Sequence, residues 1–424
     1  MARLPKTRPT RRRLVFLCGA GAVIVTAVLA VLPPVRLARL DYAAYDILLR
    51  SANAKPPDGR VVIIDIDERS LSTIGQWPWR RDRIGDFIAR LRNMGAATVA
   101  LDMVFAEPDR YGDPGGATNA AAAAPDEALA ATLREGRVVL GHAMRFDNAM
   151  FDPAKCVLHP VVPAVLHAGD AEGDTSYFHA TGVVCNLPML AQAAGASGFM
   201  NAAPDADGIL RRVPLLIELD GQVYPSLALA ATMAATGSRD LVLRIANVNS
   251  ASLVVGNHVV PVDGRANALL RYRGKKQTFP YVSAADVISG RVAPDTLRDK
   301  IVFVGTSALG TREVVATPLD TLFTGVEVQA TVADNLLQHD FISKAQLGTA
   351  LEGMVVIAVG LAVTALVANT STLPGLIGSG LSIAALWYFT MLLLSSRGVF
   401  VSPVMPTLGI AGALAAMTLA KFTV

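Results

Sequence analysis

The sequence predicts a layered α/β domain outside the cytoplasm, carried on about four transmembrane α-helices. Three observations predict it. Long apolar runs with almost no charge stand at both ends of the chain, basic residues crowd the first of them, and buried strands alternate with amphipathic helices in between.

The tail, residues 1–13, holds Arg3, Lys6, Arg8, Arg11, Arg12 and Arg13 and no acid. The apolar run 14–32 follows and stops at Pro33-Pro34. A transmembrane helix needs about 20 such residues. A cleaved signal peptide has an apolar core of about 7–15 residues and ends in an A-x-A site; this run is longer, and AVLAVLPP at its end offers no clean A-x-A. An uncleaved anchor is therefore expected. Basic residues on the short flank stay in the cytoplasm, which puts everything after Pro33 outside. Three more spans are expected at 350–368, 375–394 and 399–420, separated by turns at Pro374 and Arg397. Four crossings bring the chain back to the cytoplasm at 421–424. Hydrophobic residues make up 52% of the chain, high for a soluble protein. The net charge of +3 arises largely in the tail, so it speaks to membrane orientation and against nucleic-acid binding.

Residues 33–347 are long enough for one large domain with a proper core. VVIIDID (61–67) is a continuous apolar run, as expected of a strand buried on both faces. Ile84, Phe87, Ile88, Leu91 and Met94 then recur at helical spacing, with Gly95 as the stop. TVALDMVF (98–105) is the next buried strand, so 61–105 is expected to form a parallel βαβ pair. GGATNAAAAAPD reads as a surface connection, 126–135 as a short helix and 137–142 as a strand. A hairpin is expected around Gly221, then a helix carrying Leu227 and Leu229. Strands at 269–272 and 300–305 and a closing helix at 325–337 complete a largely parallel or mixed sheet.

The chemistry is sparse. Gly305-Thr306-Ser307-Ala308-Leu309-Gly310 follows a strand but lacks the lysine of a phosphate loop and has the wrong spacing for a nucleophile elbow. A tight turn is the plainer reading. Asp65-Ile66-Asp67 ends a strand as in aspartate-nucleophile phosphatases, yet Arg69 stands where those enzymes need threonine or valine. Asp65, Asp67 and Asp102 are expected at the ends of adjacent strands, where open α/β sheets bind ligands. Gathered acids raise one another's pKa unless a cation relieves them. Arg81, Arg211 and Arg212 are the candidate partners, with Arg81 or Arg212 expected within ion-pair distance of the cluster. Cys156 and Cys185 lie in the exterior part, where a disulfide is permitted. His159, His167 and His179 share that stretch, but the spacing matches no zinc pattern, so neither metal nor cofactor is expected.

DYAAYDILLR, VVIIDIDERSLSTIGQWPWRRD and LDMVFAEPD resemble the second type of CHASE domain, the cyclase- and histidine-kinase-associated extracellular sensors. GFMNAAPDADGILRRVPL, the RYRG of 271–274, KIVFVGTSALG and GVEVQATVADNLL continue in the same order. The resemblance covers about 38–340, and three spans after the domain also fit that family. The chain departs from the pattern at Glu313, Thr324 and Gln329. The resemblance implies a bacterial inner-membrane receptor part, working as a homodimer. Its periplasmic domain would sense an unknown ligand or partner and bias a cytoplasmic cyclase or kinase. It implies no catalytic residue. That output would follow Val424 in a longer protein or act as a separate partner. An envelope scaffold and an extracytoplasmic hydrolase are the alternative functions.

Overall fold

The computed structural model describes residues 9–31, 35–52, 54–110, 119–147, 155–167, 177–247, 250–310, 313–344 and 349–423. Arg3, Lys6, Arg8, Pro33, Pro34, Thr311 and Arg312 lie outside the described residues, as does 115–118 of the expected surface connection, whose remainder is not a loop but the start of the helix Asn119–Arg134. The chain divides into two units, one of Met1–Asn53 with Ser343–Val424 and one of Ala54–Ile342.

The first unit begins with α1 (Pro9–Val31) and α2 (Val35–Ser51). The second contributes α3 (Glu68–Ile74), α4 (Arg81–Asn93), α5 (Asn119–Arg134), α6 (Pro188–Ala194), α7 (Leu227–Thr236), α8 (Ala284–Ile288) and α9 (Gly325–Gln338). The first unit then resumes with α10 (Thr349–Asn369), α11 (Thr372–Arg397) and α12 (Val404–Thr423).

Among the described residues three helical segments are long and apolar enough to cross a membrane: Arg12–Val31, Thr372–Arg397 and Val404–Thr423. The expected span at 350–368 falls on α10, whose described apolar part, Gly353–Asn369, is shorter. Val15, Val363, Val367, Ile410 and Met417 bring α1, α10 and α12 together. A Cβ on Gly360 would come within 2.7 Å of Val23, so the α1–α10 crossing depends on a small residue there. The last helix starts at Val404 and not at 399, because Val399–Phe400 pairs as a short strand with Ser343–Lys344. The amphipathic α2 falls in this unit, although the sequence reading gave it to the exterior domain. Its Asp41 accepts a 2.5 Å hydrogen bond from Ser402, and Tyr45 sets its ring edge-on to Phe400.

The second unit is built on a seven-stranded mixed sheet. Its strands are β1 (Val61–Ile66), β2 (Thr98–Leu101), β3 (Val138–Arg145), β4 (Gly182–Val184), β5 (Ser197–Phe199), β6 (Tyr281–Ser283) and β7 (Ile301–Thr306). The order is β6-β1-β7-β2-β3-β4, with β5 also on β3. All pairs are parallel except β3 with β4. β1 and β2 therefore do not touch, contrary to the expected βαβ pair, because β7 inserts between them. Every residue of β1 and β2 is buried, which explains the unbroken apolar runs. A Cβ on Gly305 would lie 2.6 Å from the Val326 side chain, so the glycine after β7's apolar run lets α9 lie close on the sheet.

Leu216–Leu219 and Gln222–Pro225 form the expected hairpin, turning through Asp220 (φ 53°) and Gly221 (φ 74°). A second, four-stranded sheet was not foreseen. It runs His258–Val262, Ser250–Val255, Leu241–Asn247, Ala164–His167. Cys156 and Cys185 are joined, with Cα atoms 5.7 Å apart.

Candidate ligand-binding crevice and its charged surroundings

The carboxyl ends of the central strands carry the expected aspartates, and two of the three, Asp65 and Asp67, find local partners. Asp65, in β1, accepts hydrogen bonds from the Ser307 N–H at 2.9 Å and the Ser307 hydroxyl at 2.5 Å. Burial raises its pKa, Ser307 opposes this, and Asp67 raises it further. Asp67 caps α3: one carboxylate oxygen takes the Ser70 N–H at 2.8 Å, the Ser70 hydroxyl at 2.6 Å and the Ser283 hydroxyl at 2.9 Å. Asp102 follows β2, half-buried, and its carboxylate has no hydrogen-bond partner among the described residues. Burial pushes it up to about 7, and the charge of Glu313 adds to the effect. Glu313, one of the departures from the family pattern, is thus the acid beside Asp102.

No arginine among the described residues pairs with Asp65, Asp67 or Asp102, against the sequence expectation. Arg211 is 2% exposed and forks onto Asp207 at 2.9 and 2.8 Å, with Asp205 at 3.1 Å. Arg212 reaches Asp205 at 3.1 Å and Asp263 at 3.6 Å. These two arginines lock the turn through Gly208 (φ 81°). The Arg211 bond, first of its influences, holds the Asp207 carboxyl below the usual range.

Arg81 stands elsewhere, at the start of α4. Asp109 accepts its backbone N–H at 2.6 Å, closing a helix end that has no side-chain cap of its own. Asp126 lies 3.5 Å from its Nε and also accepts the Asp109 N–H at 3.0 Å. Burial lowers the Arg81 pKa, while Asp126 and Asp109 work against that. The guanidinium lies over the Phe105 ring, 4.4 Å from its centroid. Trp77 and Trp79 meet edge to face at 5.3 Å, and Trp79 donates to the Gly75 carbonyl at 2.8 Å. The segment leaving β2 is pinned where Phe105 N–H donates to Asn186 at 2.7 Å. Between these parts is a cavity of about 250 Å³, lined by 77–79, Arg81 and 103–110. It lies next to the carboxyl end of β2, on the α4 side of the sheet.

A second constellation escaped the sequence reading. Arg273, with a side chain that is wholly buried, donates to Asp334 at 2.5 Å and to Asp340 at 2.6 Å. Arg271 reaches Asp340 at 2.7 Å and Lys55 reaches it at 3.1 Å. Asp334 also accepts the Asp58 N–H at 3.2 Å, and Arg60 donates to the Leu337 carbonyl at 2.9 Å. The network ties the first residues of the second unit to its last ones. Its signal was present in GVEVQATVADNLL, where a helix fully buried from Val326 to Leu336 still carries Glu327, Gln329, Thr331, Asp334 and Asn335. Gln329, another departure, bridges the Ala228 N–H at 3.2 Å and the Met200 carbonyl at 3.3 Å. Among the described residues no group of three His, Cys, Asp or Glu is placed to hold a metal ion.

The CHASE2 domain family matches residues 21–368. The chain belongs to the CHASE2 family. CHASE2 domains are sensory extracellular domains of signalling proteins, and the membrane-length helices at both ends of this chain agree with a membrane-bound sensor. No curated protein and no solved structure matches the chain. The crevice and the charged network of this CHASE2 domain are therefore read from its own geometry.

Proposed function

We propose that this CHASE2 chain is the sensing part of a receptor in the bacterial inner membrane. Its α/β unit lies in the periplasm, reads a ligand or partner there, and biases a cytoplasmic cyclase or kinase. Membership of the family carries the reading. It is supported by membrane-length helices before and after the unit in sequence, and by Arg12 and Arg13 at the start of the first. The receptor works as a homodimer, since such outputs act in pairs. Gly375 and Gly378 abut Thr370 and Leu366 of the same chain, which leaves Gly380, open on α11, to face a second copy.

Paired reporter fusions test the orientation. Alkaline phosphatase inserted at Asn257, in the turn between two strands, should be active, and the same enzyme after Val424 should be inactive. A green fluorescent reporter should give the opposite pattern. Phosphatase activity at Val424 would overturn the topology. An adenylate cyclase domain fused after Val424 should then change its output when cysteine pairs across Gly380 are cross-linked. An unchanged output with complete cross-linking would refute the coupling.

A further inference from the structure

The crevice beside β2 holds a buried cation with unused donors. Arg81 is 8% exposed, yet among the described residues its five side-chain N–H donors make one hydrogen bond, Nη2 to the Glu107 carbonyl at a long 3.4 Å. Its Nε and the facing Asp126 oxygen are both buried without a hydrogen-bond partner, their 3.5 Å separation being an ion pair only. Leaving a buried charged donor unfilled is costly, and the cavity that Arg81 itself lines is where its remaining guanidinium N–H groups could meet an acceptor.

The rest of the lining narrows the ligand. Trp77, Met103 and Val104 are half-buried, so each keeps apolar surface toward the cavity. At about 250 Å³ the cavity is below the ~300–1,000 Å³ of drug-sized sites. Glu107 and Asp109 share the lining with Arg81 and Arg110, so a doubly charged anion would meet nearly as much repulsion as attraction. A single carboxylate matches the guanidinium fork in shape and charge.

We propose that this crevice binds a small monocarboxylate with a compact apolar body, the carboxylate on Arg81 and the body against Trp77 and Met103. The proposal deepens the sensory reading by naming its ligand class, and it is tested without any signalling output. Trp77 and Trp79 are two of the chain's three tryptophans, so with Trp387→Phe as background the indole fluorescence reports on the crevice.

The full chain in detergent is titrated with phenylacetate, phenethylamine and inorganic phosphate. Saturable quenching by phenylacetate is expected, with the amine and phosphate at least about tenfold weaker. Trp77→Ala, which leaves the Arg81–Asp126 pair intact, should weaken phenylacetate several-fold. Arg81→Gln should weaken it by about tenfold or more, with Arg81→Lys between. If Arg81→Gln does not melt cooperatively, Arg81→Lys and Trp77→Ala decide. The proposal falls if phenylacetate gives no saturable signal up to about 10 mM, if phenethylamine binds equally well, or if both variants bind like the parent. Carboxylate binding with no change in a fused output would keep the site and remove the sensory reading.

Discussion

Replacing Arg273 with methionine should be among the most damaging single changes in the α/β unit. The Arg273 side chain has no exposure, and neither does that of Asp334. Without the guanidinium, Asp334 keeps the Asp58 N–H and the Gln338 amide and, among the described residues, no cation. Asp340 keeps Arg271 and Lys55. Removing one partner of a buried ion pair costs about 3–5 kcal/mol, because the remaining charge stays buried. A unit of this size loses about 2–3 °C of melting temperature per kcal/mol, so about 6–15 °C is expected for the full chain in detergent. Arg273→Met with Asp334→Leu should regain at least half of that, since apolar residues can replace a buried pair at little cost. Melting of Arg273→Met within about 2 °C of the parent would refute the reasoning.

Asp340 makes the same network acid-sensitive. Burial, the largest influence, pushes its carboxyl up, but Arg273, Arg271 and Lys55 together hold it below the ordinary value. Its contribution is present above the unfolded pKa and lost as pH falls through the folded one, so Asp340→Asn should destabilise at pH 7 and become neutral in strong acid. Asp102 runs the other way. Its folded pKa of about 7 lies above the unfolded value, so the folded state binds the proton better and stability drops as pH rises from about 4 to 7. Asp102→Asn should therefore melt higher than the parent at pH 8, with the gain shrinking toward pH 4; a pH-independent difference would rule this out. Cys156→Ser should lower stability by about 3–4 kcal/mol, the chain-entropy value for a loop of this length, and reductant should do the same to the parent in a melting assay.

What was legible in the sequence was what neighbouring residues decide. β1 and β7 declared themselves as unbroken apolar runs, because strands covered on both faces need apolar side chains at every position. The Asp220-Gly221 turn was legible because a two-residue hairpin needs positive φ at both places. Pairing across long separations was not. β7 comes some 200 residues after β2 yet separates it from β1, and no local pattern encodes that order. The partners of Arg81 were missed for the same reason: Asp109 and Asp126 are 28 and 45 positions away and reach it only through the fold. Arg211 and Arg212 were assigned to the strand-end aspartates when acids only four to seven positions upstream, Asp205 and Asp207, already held them.

Within the α/β unit, α9 starts near Asp102 and ends at the charged network. The segment 103–110 that lines the crevice starts at Asp102, and a Cβ on Gly325 would meet the Asp102 carboxylate at 3.8 Å. Gly325 opens α9, and α9 delivers Asp334 to Arg273 at its other end. A helix buried along eleven consecutive residues has little room to bend, so any displacement at Gly325 would be passed along it toward Asp334. Contact alone is not coupling; a ligand moves such a system only by binding one of its arrangements better than another. The unfilled donors of Arg81 supply a place for that difference to arise, because an acceptor there would also compete for the guanidinium now held by Asp126. Linkage then works in both directions: if filling the crevice shifts how the unit's two ends are held, loosening those ends at Asp340 must change affinity at Arg81 by the same factor.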